Sequence, residues 1–314
     1  MEKSNFINSI KTLKLIAHRL GYKMTNYPEN TLDSLNAIFN NKEFLDSCDG
    51  FEFDICFTKD HIPIVLHDKY VDDMTDHEGM VKDYTYDDIK DFDFSSRKSL
   101  KDIKTDTYKI ITLEEILEFF KANKAKLKKK VIKIETKDSA FLDKKNLYVL
   151  AKILNKYPSL SLNIVHLSYY PWNLIALRRI QNNKGYNKTK TDLLCENSLM
   201  VTSSKLIGTL DSISMRIKTN NLGEESPTNS RRVNKKIHSD RFFMQFSNAI
   251  SEKIISYAIS RFGFASFYVL NTDEEIDEFC QKISDKFFED NKDKFVFTTD
   301  NPFNLRQTTT KSKK

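Results

Sequence analysis

Two acidic side chains lie two positions apart in a segment with the pattern of a β-strand. Glu52 and Asp54 are separated by the apolar Phe53 in the stretch FEFDICFT. Because a strand has a period of two residues, both carboxylates lie on one face and the apolar side chains lie on the other. Two carboxylates on the core side of a strand cost much free energy unless a cation neutralises them. The spacing therefore indicates a cation site.

Three more strand-like segments also carry ionisable groups at their carboxyl ends. VIKIETK has Glu135 and Lys137 on one face, LKLIA leads into His18 and Arg19, and IPIVL leads into His67. Each feature alone is common in structural positions. Together, in chain order, they are typical of a βα-barrel, whose active site is built from the carboxyl ends of several strands. The pattern favours a metal site that handles phosphate.

Strand-like and helix-like segments alternate along the chain, which predicts a parallel α/β sheet. We expect a single (βα)8 TIM barrel with a small insertion over the C-terminal face of the strands. Helices are predicted at 31–39, 112–121 (with a Thr112–Glu115 capping box), 172–180, 251–261 and 273–288. Strand candidates are 13–17, 51–58, 62–66, 131–136, 163–167, 192–195, 212–218, 242–246, 265–270 and 295–298. That is more than eight, so we expect at least one of them to lie outside the sheet.

The domain organisation follows from the same pattern. Residues 1–12 form an N-terminal extension and residues 13–306 form the barrel domain. Within it, we expect 69–110 to be an inserted segment over the mouth. Residues 219–239 are predicted to be a polar loop, because they have no apolar period. The tail 307–314, QTTTKSKK, is predicted to be disordered.

Composition excludes several classes of protein. Mean hydropathy is -0.52, and no apolar run approaches the ~18 residues that a membrane span requires. The amino terminus lacks the features of a signal peptide, so we expect a cytoplasmic protein. Lys+Arg is 50 against Asp+Glu 44, a net charge of +6. This dispersed excess argues against nucleic acid as a partner and leaves room for weak peripheral contact with anionic lipid. The four cysteines form no CxxC pair, so neither zinc nor disulfides are predicted.

The ordered motifs resemble those of the glycerophosphodiester phosphodiesterases, in the phosphatidylinositol-phospholipase-C-like barrel superfamily. The motifs that carry the resemblance are IAHR, PENT, FEFDICFTKDHIPIVLHD, ITLEEILEFF and KIETK, with weaker echoes in FYVLN and TTDNP. The resemblance covers about residues 13 to 305 and is most specific in the first half. The chain departs from the family at Leu20, at His61 and at Tyr268, where the family usually has Gly, Gly and Trp.

The resemblance implies a metal-dependent phosphoric diester hydrolase. Glu52, Asp54 and Glu135 would bind one divalent cation, and an all-carboxylate set independently points to Mg²⁺ or Ca²⁺. His18 and His67 would be the general acid–base pair, and we expect His67 to be the acid. The neighbouring hydroxyl of the substrate's glycerol would attack phosphorus, and water would open the resulting cyclic phosphate.

The resemblance also implies how the substrate, a small glycerophosphodiester, is held. Arg19 and Lys137 would bind phosphate oxygens, while Glu29, Tyr268 and Asn271 are candidates for the substrate pocket. The products would be glycerol phosphate and an alcohol.

Two other functions remain open from the sequence. The same residues could serve a lysophospholipase-D-like or cyclising phosphodiesterase that acts on a lysolipid. A barrel that binds phosphodiesters without catalysis is the other alternative. The alcohol released and the oligomeric state are not specified by the sequence.

Overall fold

The computed structural model describes residues 1–72, 74–75, 77–94, 108–137, 144–195, 212–216 and 250–311. Its strands are β1 Lys14–Ala17, β2 Gly50–Phe57, β3 Pro63–Val65, β4 Val131–Thr136, β5 Ile164–Ser168, β6 Lys190–Cys195, β7 Ser212–Arg216, β8 Ala265–Tyr268 and β9 Phe295–Thr299. Its α-helices are α1 Lys3–Ser9, α2 Leu32–Asn40, α3 Lys42–Ser47, α4 Tyr86–Ile89, α5 Leu113–Ala122, α6 Lys124–Leu127, α7 Lys144–Asn155, α8 Pro171–Lys184, α9 Glu252–Phe262, α10 Asp273–Gln281, α11 Asp285–Asn291 and α12 Pro302–Lys311.

The strands form one curled sheet in which all pairings except that of β3 are parallel. Their order is β1-β9-β8-β7-β6-β5-β4-β2-β3, and β1 also pairs with β2. Helices follow most of the parallel strands, as the alternation in the sequence predicted. The protein therefore has a TIM-like α/β fold, in which the carboxyl ends of the parallel strands meet at one face.

Apolar side chains of the strands pack outward against the helices. Phe51 and Phe53 of β2 belong to a buried cluster with Leu35 of α2 and with Leu117 and Phe120 of α5. Since alternate residues face opposite ways, this packing turns the intervening positions of β2 toward the interior of the curled sheet. The outer apolar layer thus fixes which face the acidic residues occupy.

The segment IPIVL differs from its predicted role as one more parallel strand. Its central part, β3, pairs antiparallel with β2, with Ile55 opposite Val65. The physical reason is the short connection 58–62, which suits a hairpin, whereas a parallel crossover needs a dozen residues or more. The hairpin brings the chain back so that the Leu66 amide donates to the Asp54 carbonyl at 3.1 Å. His67 follows directly.

Other boundaries also differ from the predictions. The helix expected over 273–288 is two helices, because Ser284 begins the second by accepting a hydrogen bond from the Phe287 amide. Helix α12 extends to Lys311, into the segment for which a disordered tail was expected. The strand candidate 242–246, the polar loop 219–239 and residues 95–107 of the expected insertion lie outside the described residues. None of the described helices combines the length and apolarity needed to cross a membrane.

Candidate active site

Three carboxylates converge inside the sheet near the carboxyl ends of β2 and β4. Asp54 is in register with Glu135 on the neighbouring strand, and Glu52 lies one layer deeper on β2. One oxygen from each carboxylate lies within 4.8 Å of the other two. All three side chains are buried. The structure thus brings together the three residues expected to bind the cation.

Burial and mutual repulsion perturb these acids strongly. The pKa of Glu52 is well above its usual range because of burial first, and then because of the charges of Asp54 and Glu135. Burial likewise raises the pKa of Glu135. Asp54 behaves oppositely: burial favours its neutral form, but the positive charges of Lys137 and then His67 hold its pKa below the usual value. The three carboxylates therefore carry more negative charge than the neighbouring basic side chains neutralise.

The donor set fits a hard divalent cation. Two oxygens that each lie about 2.4 Å from one ion can be at most about 4.8 Å apart, which matches the spacing of the three acids. Within the described part of the chain, Oδ2 of Asp54 has no hydrogen-bond partner although it is buried. Such a buried acceptor is costly unless something binds it, and carboxylate oxygens are the ligands that Mg²⁺ and Ca²⁺ prefer.

Lys137 lies against the same carboxylates. Its Nζ is 2.8 Å from Oδ1 of Asp54 and 2.8 Å from Oε1 of Glu135. Burial lowers its pKa, but these two acids outweigh that effect and raise it above the usual value. Lys137 is thus a fixed positive charge at the edge of the acidic cluster. That position suits an anion bound beside the cation.

His18 directly follows β1 and is held by a carboxylate from the other end of the chain. Its Nδ1 is 2.6 Å from Oδ1 of Asp300, and its Nε2 is 3.8 Å from Oε2 of Glu52. Although burial opposes it, the hydrogen bond with His18 keeps the pKa of Asp300 below the usual range. Asp300 is therefore the acceptor in this pair and Nδ1 of His18 the donor, which leaves Nε2 as the ring nitrogen on the side of Glu52.

His67 has a similar arrangement with its neighbour in the sequence. Its Nδ1 is 2.9 Å from Oδ1 of Asp68. The hairpin β2–β3 places it beside the backbone of Asp54, and its charge contributes to the low pKa of that acid. Each candidate histidine thus has a carboxylate at Nδ1.

Arg19, which is expected to hold phosphate, forms an ion pair with Glu29. Its NH1 donates to both oxygens of Glu29, at 3.0 and 2.9 Å, and its backbone amide donates to Oε2 of Glu52 at 3.1 Å. Arg19 and Leu20 both have positive φ, 47° and 61°. The turn after His18 thus aims the amide of Arg19 at the acidic cluster, while the guanidinium lies on Glu29.

The remaining pocket candidates occupy two different environments. Tyr268 is half-buried and packs against Tyr169, with ring centroids 6.2 Å apart, next to the apolar residues Val165, Leu167 and Leu194. Asn271 instead accepts a hydrogen bond from the Asp300 amide at 2.8 Å. Asn271 therefore supports the carboxylate that holds His18, and Tyr268 belongs to the apolar side of the interior.

Sequence reasoning missed the roles of Asp68 and Asp300. Asp68 stands next to a predicted catalytic histidine, and Asp300 lies in TTDNP, where the last predicted strand ends. Both are polar groups at strand ends, which was the signal used for the other site residues. What the sequence lacked was the proximity of β9 to β1, which are paired in the sheet although 282 positions separate His18 from Asp300.

Comparison with known proteins places the chain among phosphodiesterases. Residues 20–251 match the model of the Glycerophosphoryl diester phosphodiesterase family. A glycerophosphodiester phosphodiesterase of Bacillus altitudinis is 36% identical over 128 residues, which are 41% of this chain and 46% of that protein. Glycerophosphodiester phosphodiesterase 1 of Bos taurus is 30% identical over 169 residues, 54% of this chain and 46% of that protein. The matched segments thus span less than half the length of these relatives.

Solved structures with the same fold cover nearly the whole chain. A phosphodiesterase of Oleispira antarctica, in complex with the product sn-glycerol-3-phosphate, has a TM-score of 0.65 and 16% identity, covering 96% of this chain and 99% of that one. A glycerophosphodiester phosphodiesterase of Agrobacterium tumefaciens has a TM-score of 0.60 and 15% identity, covering 94% and 99%. At these identities the likeness is one of fold.

Proposed function

The chain belongs to the glycerophosphoryl diester phosphodiesterase family, and we propose that it hydrolyses glycerophosphodiesters to glycerol phosphate and an alcohol. The observation that carries this proposal is the convergence of Glu52, Asp54 and Glu135 beside two carboxylate-held histidines. Such a site combines a place for a cation with groups that can move protons. Metal-assisted hydrolysis of a phosphodiester uses both.

We propose that Glu52, Asp54 and Glu135 hold one Mg²⁺ or Ca²⁺. The support is their excess of buried negative charge and the buried Oδ2 of Asp54. When bound, the cation neutralises phosphate charge and lowers the pKa of the attacking hydroxyl. Lys137 then places a second positive charge next to phosphate oxygens. Its Nζ lies 2.8 Å from Asp54 and 2.8 Å from Glu135, so it also weakens the repulsion between these two carboxylates.

The histidines supply the proton transfers in this scheme. Nε2 of His18 takes the proton from the glycerol hydroxyl that attacks phosphorus, and His67 gives a proton to the departing alcohol. A cyclic phosphate forms, and the roles reverse when water opens it. Asp300 at Nδ1 of His18 keeps the opposite nitrogen available as a base and stabilises the ring once it is charged.

In this proposal Arg19 binds phosphate oxygens while it is paired with Glu29. The bidentate pair fixes the guanidinium, and it keeps the turn after β1 in the shape that directs the Arg19 amide toward Glu52. Tyr268 and Asn271 stay candidates for the substrate pocket. Tyr268 would contact the alcohol portion, and Asn271 would contribute through Asp300.

We also propose that the architecture is a (βα)8 barrel in which segment 69–110 lies over the catalytic mouth. The pairing of β1 with both β2 and β9 supports closure of the sheet. Lys69 contacts the Tyr170 ring after β5, which supports the placement of the segment. A cytoplasmic location remains part of the proposal. It is supported by the free thiols of Cys48 and Cys280, since reducing compartments keep thiols reduced.

The decisive experiment is a product-release screen across glycerophosphodiesters with different alcohols. We expect turnover with Mg²⁺ or Ca²⁺ and none in excess chelator. Full activity in chelator would refute the metal-dependent scheme. Metal-dependent binding of diesters with no turnover of any of them would instead identify a barrel that binds phosphodiesters without hydrolysing them.

A further inference from the structure

Aromatic side chains project into solvent from the rim of the catalytic mouth. Trp172 is 60% exposed and Tyr170 is 36% exposed, and both lie where β5 passes into α8. Tyr27, on the connection after β1, is also exposed. In the described part of the chain five large apolar side chains are exposed, and these three lie on connections that leave the carboxyl ends of parallel strands. Exposed aromatics gathered at one face indicate an interaction surface.

The exposure of Trp172 distinguishes it from the rings that line the interior. Tyr169 and Tyr268 are half-buried and pack edge to face on each other, as expected for the wall of a substrate pocket. A ring that is 60% exposed has no such cover. Indole and phenol rings combine an apolar body with a polar edge, and this combination favours the interface between water and a lipid bilayer.

A basic side chain lies next to one of these rings. Nζ of Lys69 lies 5.9 Å from the centroid of the Tyr170 ring. Helix α8 has no acidic residue in its first turn, so the positive end of its dipole is not opposed there. Asp68, which precedes Lys69, is engaged by His67. Cations among interfacial aromatics complement the phosphate groups of anionic lipids.

We propose that this aromatic rim, formed by Tyr27, Lys69, Tyr170 and Trp172, docks on the surface of a phospholipid bilayer that contains anionic lipid. Docking would turn the catalytic mouth toward the membrane, so that diesters held in or released from the bilayer reach the site first. That consequence rests on the proposed function, whereas the docking itself does not.

The chain provides its own reporter for a test. Trp172 is the only tryptophan in the sequence, so the tryptophan fluorescence of the wild-type protein, excited selectively over tyrosine, reports on this rim alone. Addition of phosphatidylcholine–phosphatidylglycerol vesicles should shift its emission to shorter wavelength. Lipids with brominated acyl chains should quench it, and raising the salt concentration should weaken both effects because the lipid charge is screened.

Single substitutions distinguish docking through the aromatic rim from nonspecific adsorption of the protein to lipid. In vesicle co-sedimentation, Trp172→Ala and Tyr170→Ala should each weaken partitioning by about tenfold, since burial of one aromatic side chain is worth at least one power of ten in affinity. Leu162→Ala is the matched control. Leu162 is 85% exposed but precedes β5, at the opposite end of the sheet, so its removal should leave partitioning unchanged.

Three results would overturn the proposal. One is an emission spectrum that vesicles do not change, and another is equal loss of partitioning in Leu162→Ala and Trp172→Ala. The third is the same shift caused by soluble glycerophosphocholine without vesicles, which would assign Trp172 to the substrate pocket. All of these measurements are made without turnover, so a failure of the proposed hydrolysis leaves the test of docking intact.

Discussion

The two sides of the sheet's interior are equally buried but chemically opposite. On β2 and β4 the inward positions carry Glu52, Asp54 and Glu135. On β5 and β6 they carry Val165, Leu167 and Leu194, together with one ion-paired acid, Asp192. Glu135 and Leu167 are even in register on adjacent strands. The apolar side stabilises the fold by burial. The acidic side opposes folding, because burial raises the pKa values of Glu52 and Glu135, so its composition is explained by chemistry and not by folding.

Groups of the protein itself offset part of the negative charge on the acidic side. Lys137 ion-pairs with Asp54 and Glu135, and the Arg19 amide donates to Glu52. Even so, burial and the neighbouring acids leave the pKa of Glu52 well above its usual range. On the other side, Asp192 of β6 is matched by Lys133 at 3.5 Å. The cluster at the mouth therefore has more carboxylates than basic side chains paired with them.

The largest effect should come from removing one charge of the acidic side. Glu52→Gln should reduce turnover by more than about 10³-fold, because the cation supplies several kcal/mol of transition-state stabilisation. Calorimetric titration with Mg²⁺ or Ca²⁺ should show that binding is lost. The fold should survive, since the substitution removes repulsion.

Leu194→Ala is the matched change on the apolar side. It should cost about 2–5 kcal/mol of unfolding free energy and leave the affinity for the cation unchanged. If Glu52→Gln bound the cation as well as the wild type does, the contrast between the two sides would be wrong.

The second-largest loss of turnover should come from replacing either of the two histidines. His18→Ala and His67→Ala should each lower turnover by roughly 10²–10⁴-fold, the usual contribution of general acid–base catalysis. Cation affinity should hardly change. The two variants are distinguished with a nitrophenyl diester, whose leaving group needs no proton, so His67→Ala should recover activity on it and His18→Ala should not. Loss of the cation in both variants would make the histidines ligands and contradict the assignment.

A smaller loss is expected from Asp300→Asn, which keeps the shape of the side chain but not its charge. The His18 ring would lose the acceptor that fixes its tautomer and orientation, and small misplacement of a catalytic group costs about 10²-fold. Comparison of kcat and KM tests this role, because kcat should fall while KM is nearly constant. An unchanged kcat would show that Asp300 is only structural.

The smallest effect is on stability as a function of pH in the protein without added cation. The folded-state pKa values of Glu52 and Glu135 are raised, so the folded state binds more protons than the unfolded state above about pH 4.5. Stability should therefore fall as pH rises from there. The lowered pKa values of Asp54 and Asp300 act in the other direction, and their contribution is lost only as pH falls below about 4.

Thermal unfolding in chelator between pH 5 and pH 8 measures this dependence, and Glu52→Gln is the control that should flatten it. Added Mg²⁺ or Ca²⁺ should raise the melting temperature most at the higher pH, because ionised carboxylates bind it. Higher stability at pH 8 than at pH 5 in chelator would contradict the direction of these pKa shifts.

The sequence by itself determined which residues could form the acidic side. Glu52, Asp54, Glu135 and Lys137 were found from a two-residue period, because a strand's alternation is a local property of the backbone. The capping box of Thr112 and Glu115 is also a local feature of the sequence. It was predicted from the spacing of these two residues and is present at the start of α5. Alternation of strands and helices likewise specified a parallel α/β sheet.

Only the tertiary structure decided what these groups contact. The pairing of β1 with β9 brings Asp300 to His18, and the antiparallel return of β3 brings His67 to Asp54. The ion pair between Arg19 and Glu29 depends on a turn with positive φ. No periodicity in the sequence predicts such a turn. These contacts join residues that are distant along the chain or lie in irregular segments. They follow from how the sheet curls and not from the local preference of any residue.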